Sequence, residues 1–101
     1  MRRVQDTLQF MLFMVIETFA DANRSAAAER FQIKGRMLPD GVVYQASWLN
    51  EDGSRCFQVM DAPSRQLLDQ WIAQWNDLVE FEVIPVVTSA EYWEKRNKSS
   101  R

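Results

Sequence analysis

The sequence predicts a two-layer α+β domain, two helices laid on one face of a four-stranded antiparallel sheet, and three observations lead there. Hydrophobic patterns follow one another in the order strand, helix, strand, strand, helix, strand. The 101 residues are 47% hydrophobic with only three Gly and three Pro, the make-up of one compact domain that buries about 60–70% of its unfolded surface. Cys56 is the single cysteine, so no internal disulfide can hold the chain and apolar packing must.

The first strand comes from the apolar run Phe10 to Ile16, closed by Glu17. A basic start before it and Ala20-Asp21-Ala22 after it give the run the outline of a secretory leader. Its seven residues sit at the short limit of a leader's apolar segment of about 7–15. Gln5, Asp6, Thr7 and Gln9 also separate the arginines from it. The run falls far short of the about 20 residues needed to cross a membrane. Its length suits a strand, and apolarity on both sides suits a central one.

The alanine-rich stretch that follows reads as a helix, with Asp21 or Asn23 as cap, Ala27 and Phe31 facing inward, and Gly35 at the left-handed exit. Pro39-Asp40-Gly41 turns the chain. Val42 to Leu49 and Arg55 to Met60 are strand-like, joined by the hairpin residues Asn50-Glu51-Asp52-Gly53. Leu67, Leu68, Trp71, Ile72, Trp75 and Leu78 recur at helical spacing behind the cap Ser64. Two tryptophans four apart can stack bases or sugars, but an amphipathic stripe of this kind belongs to a core.

Val79 to Val87 is the last strand. Val79, Phe81 and Val83 point one way, and Glu80, Glu82 and Ile84 the other. Pro85 cannot donate a ladder hydrogen bond, which sends this strand to a sheet edge or a bulge. Thr88 and Glu91 make a capping-box pattern that opens a short helix through Tyr92 and Trp93. The domain is expected over residues 11–94, after a poorly ordered extension at 1–10 and before a basic flexible tail at 95–101.

The order of elements is that of the ferredoxin-like βαββαβ arrangement, a split βαβ with right-handed crossovers. Both helices then cover one face. Apolar residues on both sides of the first strand, with Tyr44, Trp48 and Ile84, leave the other face too hydrophobic for water. A second subunit packed sheet against sheet covers it, so a homodimer is expected.

Composition removes several function classes. There is no histidine, hence no histidine base, no histidine metal ligand and no Ser/His or Cys/His nucleophile pair. From Leu12 to Glu94 six basic residues face thirteen acidic ones, which argues against nucleic acid. The third strand also lacks the basic, glycine-containing pattern of RNA-binding sheets. No acidic loop has calcium spacing, so neither a metal nor another cofactor is expected. The lone cysteine suits a reducing, cytoplasmic setting.

The segments "MLFMVIETF", "RFQIKGRMLPDGVVYQASWL", "RCFQVMD" and "LLDQWIAQWNDLVEFEVIPV" together resemble a bacterial family known only as a domain of unknown function. The resemblance runs from Met11 to about Glu91 and is most specific at Gly35-Arg36 with Pro39 and Gly41, Ser47-Trp48, Arg55-Cys56-Phe57-Gln58, and Phe81-Glu82 with Pro85-Val86. It implies a dimeric α/β-barrel of the ferredoxin-like class. Because it begins at Met11, the preceding residues read as an extension or as the product of an upstream start codon. That architecture also hosts cofactor-free monooxygenases and isomerases, and haem-degrading proteins; the missing histidines weigh against the haem-dependent forms.

Glu17 and Glu82 are the candidate acid/base residues, with Glu17 at the end of its strand expected near Glu80 and Glu82 on the open sheet face. Arg36, Tyr44, Trp48, Arg55, Gln58 and Glu80 are the candidate ligand-binding residues. The plainer alternatives are that the carboxylates line the sheet rim or pair with Arg36 and Arg55 across the dimer, and that Trp48 anchors the interface. Cys56 has no histidine to activate it and reads as a small buried hydrophobe. Three functions remain open: a dimer with a cavity for a small organic ligand, a cofactor-free acid/base enzyme, and a purely structural dimer.

Overall fold

The computed structural model describes residues 10–99; the expected extension up to residue 9 and the last two residues of the basic tail lie outside them. The elements are β1 (Met11–Phe19), α1 (Asp21–Lys34), β2 (Val43–Leu49), β3 (Arg55–Ala62), α2 (Arg65–Ala73), β4 (Val79–Val86) and α3 (Ser89–Ser99). The four strands form one antiparallel sheet in the order β2-β3-β1-β4. The fold is α+β.

The central strand β1 pairs with β3 from Met11↔Ala62 to Thr18↔Arg55 and with β4 from Leu12↔Val86 to Phe19↔Val79. Its two-sided apolarity reflects that central place. Pro85 sits on β4, an edge strand of the sheet, as its missing N–H required. Phe13, Val15, Met60 and Ala62 project from the sheet toward α2, where they meet Leu68, Trp71 and Trp75 with Val42 to form the buried core. The paired tryptophans are therefore core residues, 2% and 7% exposed.

Several local expectations change. α1 starts at Asp21 behind Ala20 with no side-chain cap, so neither Asp21 nor Asn23 serves as one. The regular part of α2 ends at Ala73, and Trp75 and Leu78 follow in successive turns rather than on the helix. Ser64 does cap α2, its hydroxyl accepting from the Leu67 N–H at 3.2 Å. Thr88 and Glu91 form the reciprocal capping box at the start of α3, and that helix continues to Ser99, beyond the short one expected.

The most consequential change is in β2. Its pairing with β3 shifts between Tyr44↔Met60 and Ala46↔Val59, leaving Gln45 as an extra residue in a β-bulge. Tyr44 consequently packs against the core on the helix side, not on the open face. Trp48 stays on the open face, opposite Phe57, and is 59% exposed.

Candidate functional site

The strand alternation that builds the core also builds a cavity. Beyond Val15, the helix-facing positions of β1 and β3 include Glu17, Gln58 and Cys56, with Phe19 at the end of β1. Above them α1 contributes Ala27 and Ala28, with Arg24 and Phe31 also on the wall, and Ala27 is its one buried residue among those described. Small side chains cannot fill the gap, and a cavity of about 410 Å³ remains between α1 and the sheet, within the range of roughly 300–1,000 Å³ typical of ligand sites.

Arginines hold α1 over this space at two points. Near its start, Arg24 donates to the Asp52 carbonyl in the β2–β3 hairpin at 3.2 Å. Further along, Arg30 grips Asp77 with both terminal nitrogens at 2.8 Å and also donates to the Gln74 carbonyl. Phe31, expected inside, stands at the cavity wall and is 46% exposed.

Glu17 is the buried carboxyl of the site, 9% exposed. It accepts a hydrogen bond at Oε2 from Gln58 Nε2, a partner that is itself buried. Burial pushes its pKa up from 4.5 to about 7, while the Gln58 hydrogen bond and the Arg36 charge pull the other way without overcoming it. A carboxyl in that range can hold or release a proton near neutrality.

Arg36 lies in the loop that follows α1. Its guanidinium stacks on the Tyr44 ring, 3.6 Å from the centroid, with the Phe31 ring at 5.3 Å. The backbone carbonyl of the same residue accepts both indole N–H groups, from Trp71 and Trp75, each at 3.0 Å. Gly35 and Met37 flank it at φ values of 67° and 60°, a left-handed backbone that turns that carbonyl toward the indoles. Tyr44 in turn shares a hydrogen bond of 2.6 Å with Ser47, which lines the cavity. The cation is thus fixed from its backbone and from its ring contact.

Cys56 also lines the cavity. Burial first, and then the neighbouring Glu17 charge, raise its thiol to about 11. At pH 8 iodoacetamide is expected to alkylate it roughly a hundredfold or more slowly in the folded protein than in urea, because only about a thousandth is thiolate. Comparable rates in both states, followed by mass spectrometry, refute the buried, protonated thiol.

The eight residues singled out from sequence divide evenly between the two faces of the sheet. Glu17, Arg36, Tyr44 and Gln58 meet at the cavity. Trp48, Arg55, Glu80 and Glu82 lie on the opposite, open face, where Glu82 sits beside Ile16 and Glu80 beside Thr18. Glu17 is therefore not a neighbour of the two other glutamates: it is on the buried side of β1, pairing with Cys56 and Phe81. Sequence reasoning did not single out Arg24 or Ala28, and it read Ser47 only as part of the family resemblance and Ala27 only as an inward helix position, not as site residues. The run of small residues in "SAAAER" was the available signal, since a helix that covers a sheet without large side chains leaves room beneath it.

Among the described residues no cluster of three or more His, Cys, Asp or Glu side chains could hold a metal ion, and no helix is long and apolar enough to cross a membrane. A family model described as Domain of unknown function (DUF3303) matches residues 11–99. No curated protein and no solved structure matches the chain.

Proposed function

The chain belongs to the DUF3303 family, and from that premise we propose a homodimeric, small-molecule-binding domain of ferredoxin-like architecture whose ligand occupies the cavity beneath α1. The observation that carries this reading is the buried Glu17–Gln58 pair set into an otherwise largely apolar 410 Å³ space. A carboxyl is expensive to bury, and a domain of this size gains nothing in stability by placing one under an unfilled helix. The ferredoxin-like reading draws support from the sheet order, in which α1 carries the chain from β1 across β3 to β2, and α2 carries it from β3 across β1 to β4.

A thermal-shift screen of small organic compounds tests the ligand reading. A compound present at about 100 times its Kd stabilises the native state by about 2.7 kcal/mol. Ala27→Phe places a ring in the cavity from the buried position of α1 and should abolish the shift. Shifts untouched by Ala27→Phe, or a screen without any, would sink the cavity reading.

The dimer is a proposal about the other face. Leu12, Met14, Ile16, Phe57 and Val59 lie there with Trp48, partly open to solvent. Arg55 stands on the β3 side and Glu80 and Glu82 on β4, so a second copy related by a two-fold axis answers both the apolar surface and its unequal charge. Light scattering on a sizing column should give twice the chain mass; a folded monomer refutes it.

A second reading, a cofactor-free enzyme, is favoured by Glu17 alone, whose pKa near 7 matches a general acid or base at neutral pH. Glu82 is on the far face and cannot assist within one chain. Loss of turnover in Glu17→Gln on any substrate found among the binding compounds supports this reading, and retained turnover excludes it.

A further inference from the structure

Resting on the cavity reading, we propose that the occupant is a flat aromatic monocarboxylate, its anion gripped by the Arg36 guanidinium and its ring laid along the Phe31, Trp71 and Trp75 wall. The assignment starts from which cation is available. Two arginines line the cavity, Arg24 and Arg36. Arg24 has both terminal nitrogens committed, one to Asp21 at 3.1 Å and the other to the Asp52 carbonyl, and keeps only its single buried Nε without a partner, too little for a two-pronged grip on a carboxylate. Arg36 makes ring contacts but has no side-chain hydrogen bond or ion pair to protein among the described residues.

A guanidinium stacked face-on against a ring keeps its N–H edges free in its own plane, the geometry that receives a carboxylate through two parallel hydrogen bonds. Glu17 sets the sign and size of the charge that fits. Its Oε2 is taken by Gln58; the other oxygen can carry a proton and donate to a bound anion, whereas an ionised Glu17 repels one. One free guanidinium beside an acid neutralises a single negative charge. No glycine-rich loop faces the space, and α1 begins with the acidic Asp21, so a phosphate dianion is poorly served. Apart from Ser47, Gly53 and Cys56 the rest of the wall is aromatic and aliphatic, which leaves the ligand's body apolar.

Glu17 is the group whose proton the binding should sense. Its other charged or titratable neighbours are Arg36 from the loop, Arg24 from α1, Tyr44 from β2 and Cys56 from β3; β4, α2 and the turns after it present only Val79, Phe81, Trp71 and Trp75. With a site that titrates near 7, carboxylate affinity should fall about tenfold between pH 6 and pH 8 by proton linkage.

The test is calorimetric titration of the full chain with three probes of one shape: 2-naphthoate, 2-naphthamide and 2-naphthylmethylamine, at pH 6 and pH 8. Naphthoate should bind best at pH 6 and lose about tenfold at pH 8. Arg36→Gln, which keeps the structural backbone carbonyl, should weaken it by about ten- to a hundredfold. Glu17→Gln should erase the difference between the two pH values, and a tenfold difference that persists in it overturns the proton linkage. Should Arg36→Gln not fold, Arg36→Lys keeps the charge and removes the fork, and unchanged naphthoate affinity in it overturns the proposal. Tighter binding of the amide or the amine overturns the anion while leaving the cavity reading intact. Binding by none of the three overturns it as well, and the cavity reading then rests on the wider screen and Ala27→Phe.

Discussion

Glu17→Gln is expected to stabilise the folded protein by about 3 kcal/mol at pH 8 and to change nothing at pH 4. The folded-state pKa of Glu17 is raised, from 4.5 to about 7. Below pH 4.5 the folded and unfolded chains both hold the proton, and burial carries no charge penalty. Between 4.5 and 7 the unfolded chain releases it while the folded chain keeps it, so stability falls as pH rises. Above 7 the folded chain carries a buried carboxylate and the loss is complete. An amide removes the titration and retains the oxygen to which Gln58 donates. Cys56, raised to about 11, does not contribute a comparable loss until well above pH 8. Urea unfolding of both proteins at pH 4, 6 and 8 measures the difference directly. Equal stabilities at all three values would refute the burial of this carboxyl.

Trp71→Ala should destabilise the fold by about 3–5 kcal/mol, a large part of the about 5–15 kcal/mol that holds a typical domain together. The indole is 2% exposed, meets Phe81 edge to face with centroids 5.6 Å apart, and donates to the Arg36 carbonyl at 3.0 Å. Alanine leaves a void against the cavity and takes away one of the two donors that fix the Arg36 loop. Trp71→Phe separates these effects: it restores most of the volume, and Trp75 still donates to the same carbonyl, so its loss should be the smaller. Denaturation followed by circular dichroism gives both values. A loss under about 1 kcal/mol for Trp71→Ala would contradict its place in the core.

Much of the fold was legible because its signals are local. The alternation in "VEFEVIPVV", the stripe from Leu67 to Leu78 and the Thr88–Glu91 box each depend on residues a few positions apart, and each marks an element that forms, although α2 stops at Ala73 and α3 runs on to Ser99. The candidate site was legible only as a set of residue types. Strand periodicity says that Glu80 and Glu82 share a side, but which side Glu17 takes depends on the register of β1 against its two neighbours. That register is fixed by long-range pairing. Phe31 stays about half exposed on the cavity wall for a similar reason: the inward stripe of α1 meets a sheet floored there by Glu17, Gln58 and Cys56. The cavity itself is a volume that neighbouring elements fail to fill, and no single segment encodes it.

The extra residue in β2 means that surface identity on this strand is a matter of parity. Along an unbroken strand, odd and even positions are assigned to opposite sides throughout, and Tyr44 and Trp48 would share one. Gln45 reverses the assignment for everything after it, sending Ser47 and Leu49 to the helix side, where they line the cavity, and Trp48 to the open face. Deleting one codon would exchange them, carrying an indole inside and a hydroxyl out, a change of chemistry on two surfaces that no single substitution in the strand can produce. Within this family, a gap of one position at Gln45 would accordingly mark a member with a differently lined cavity.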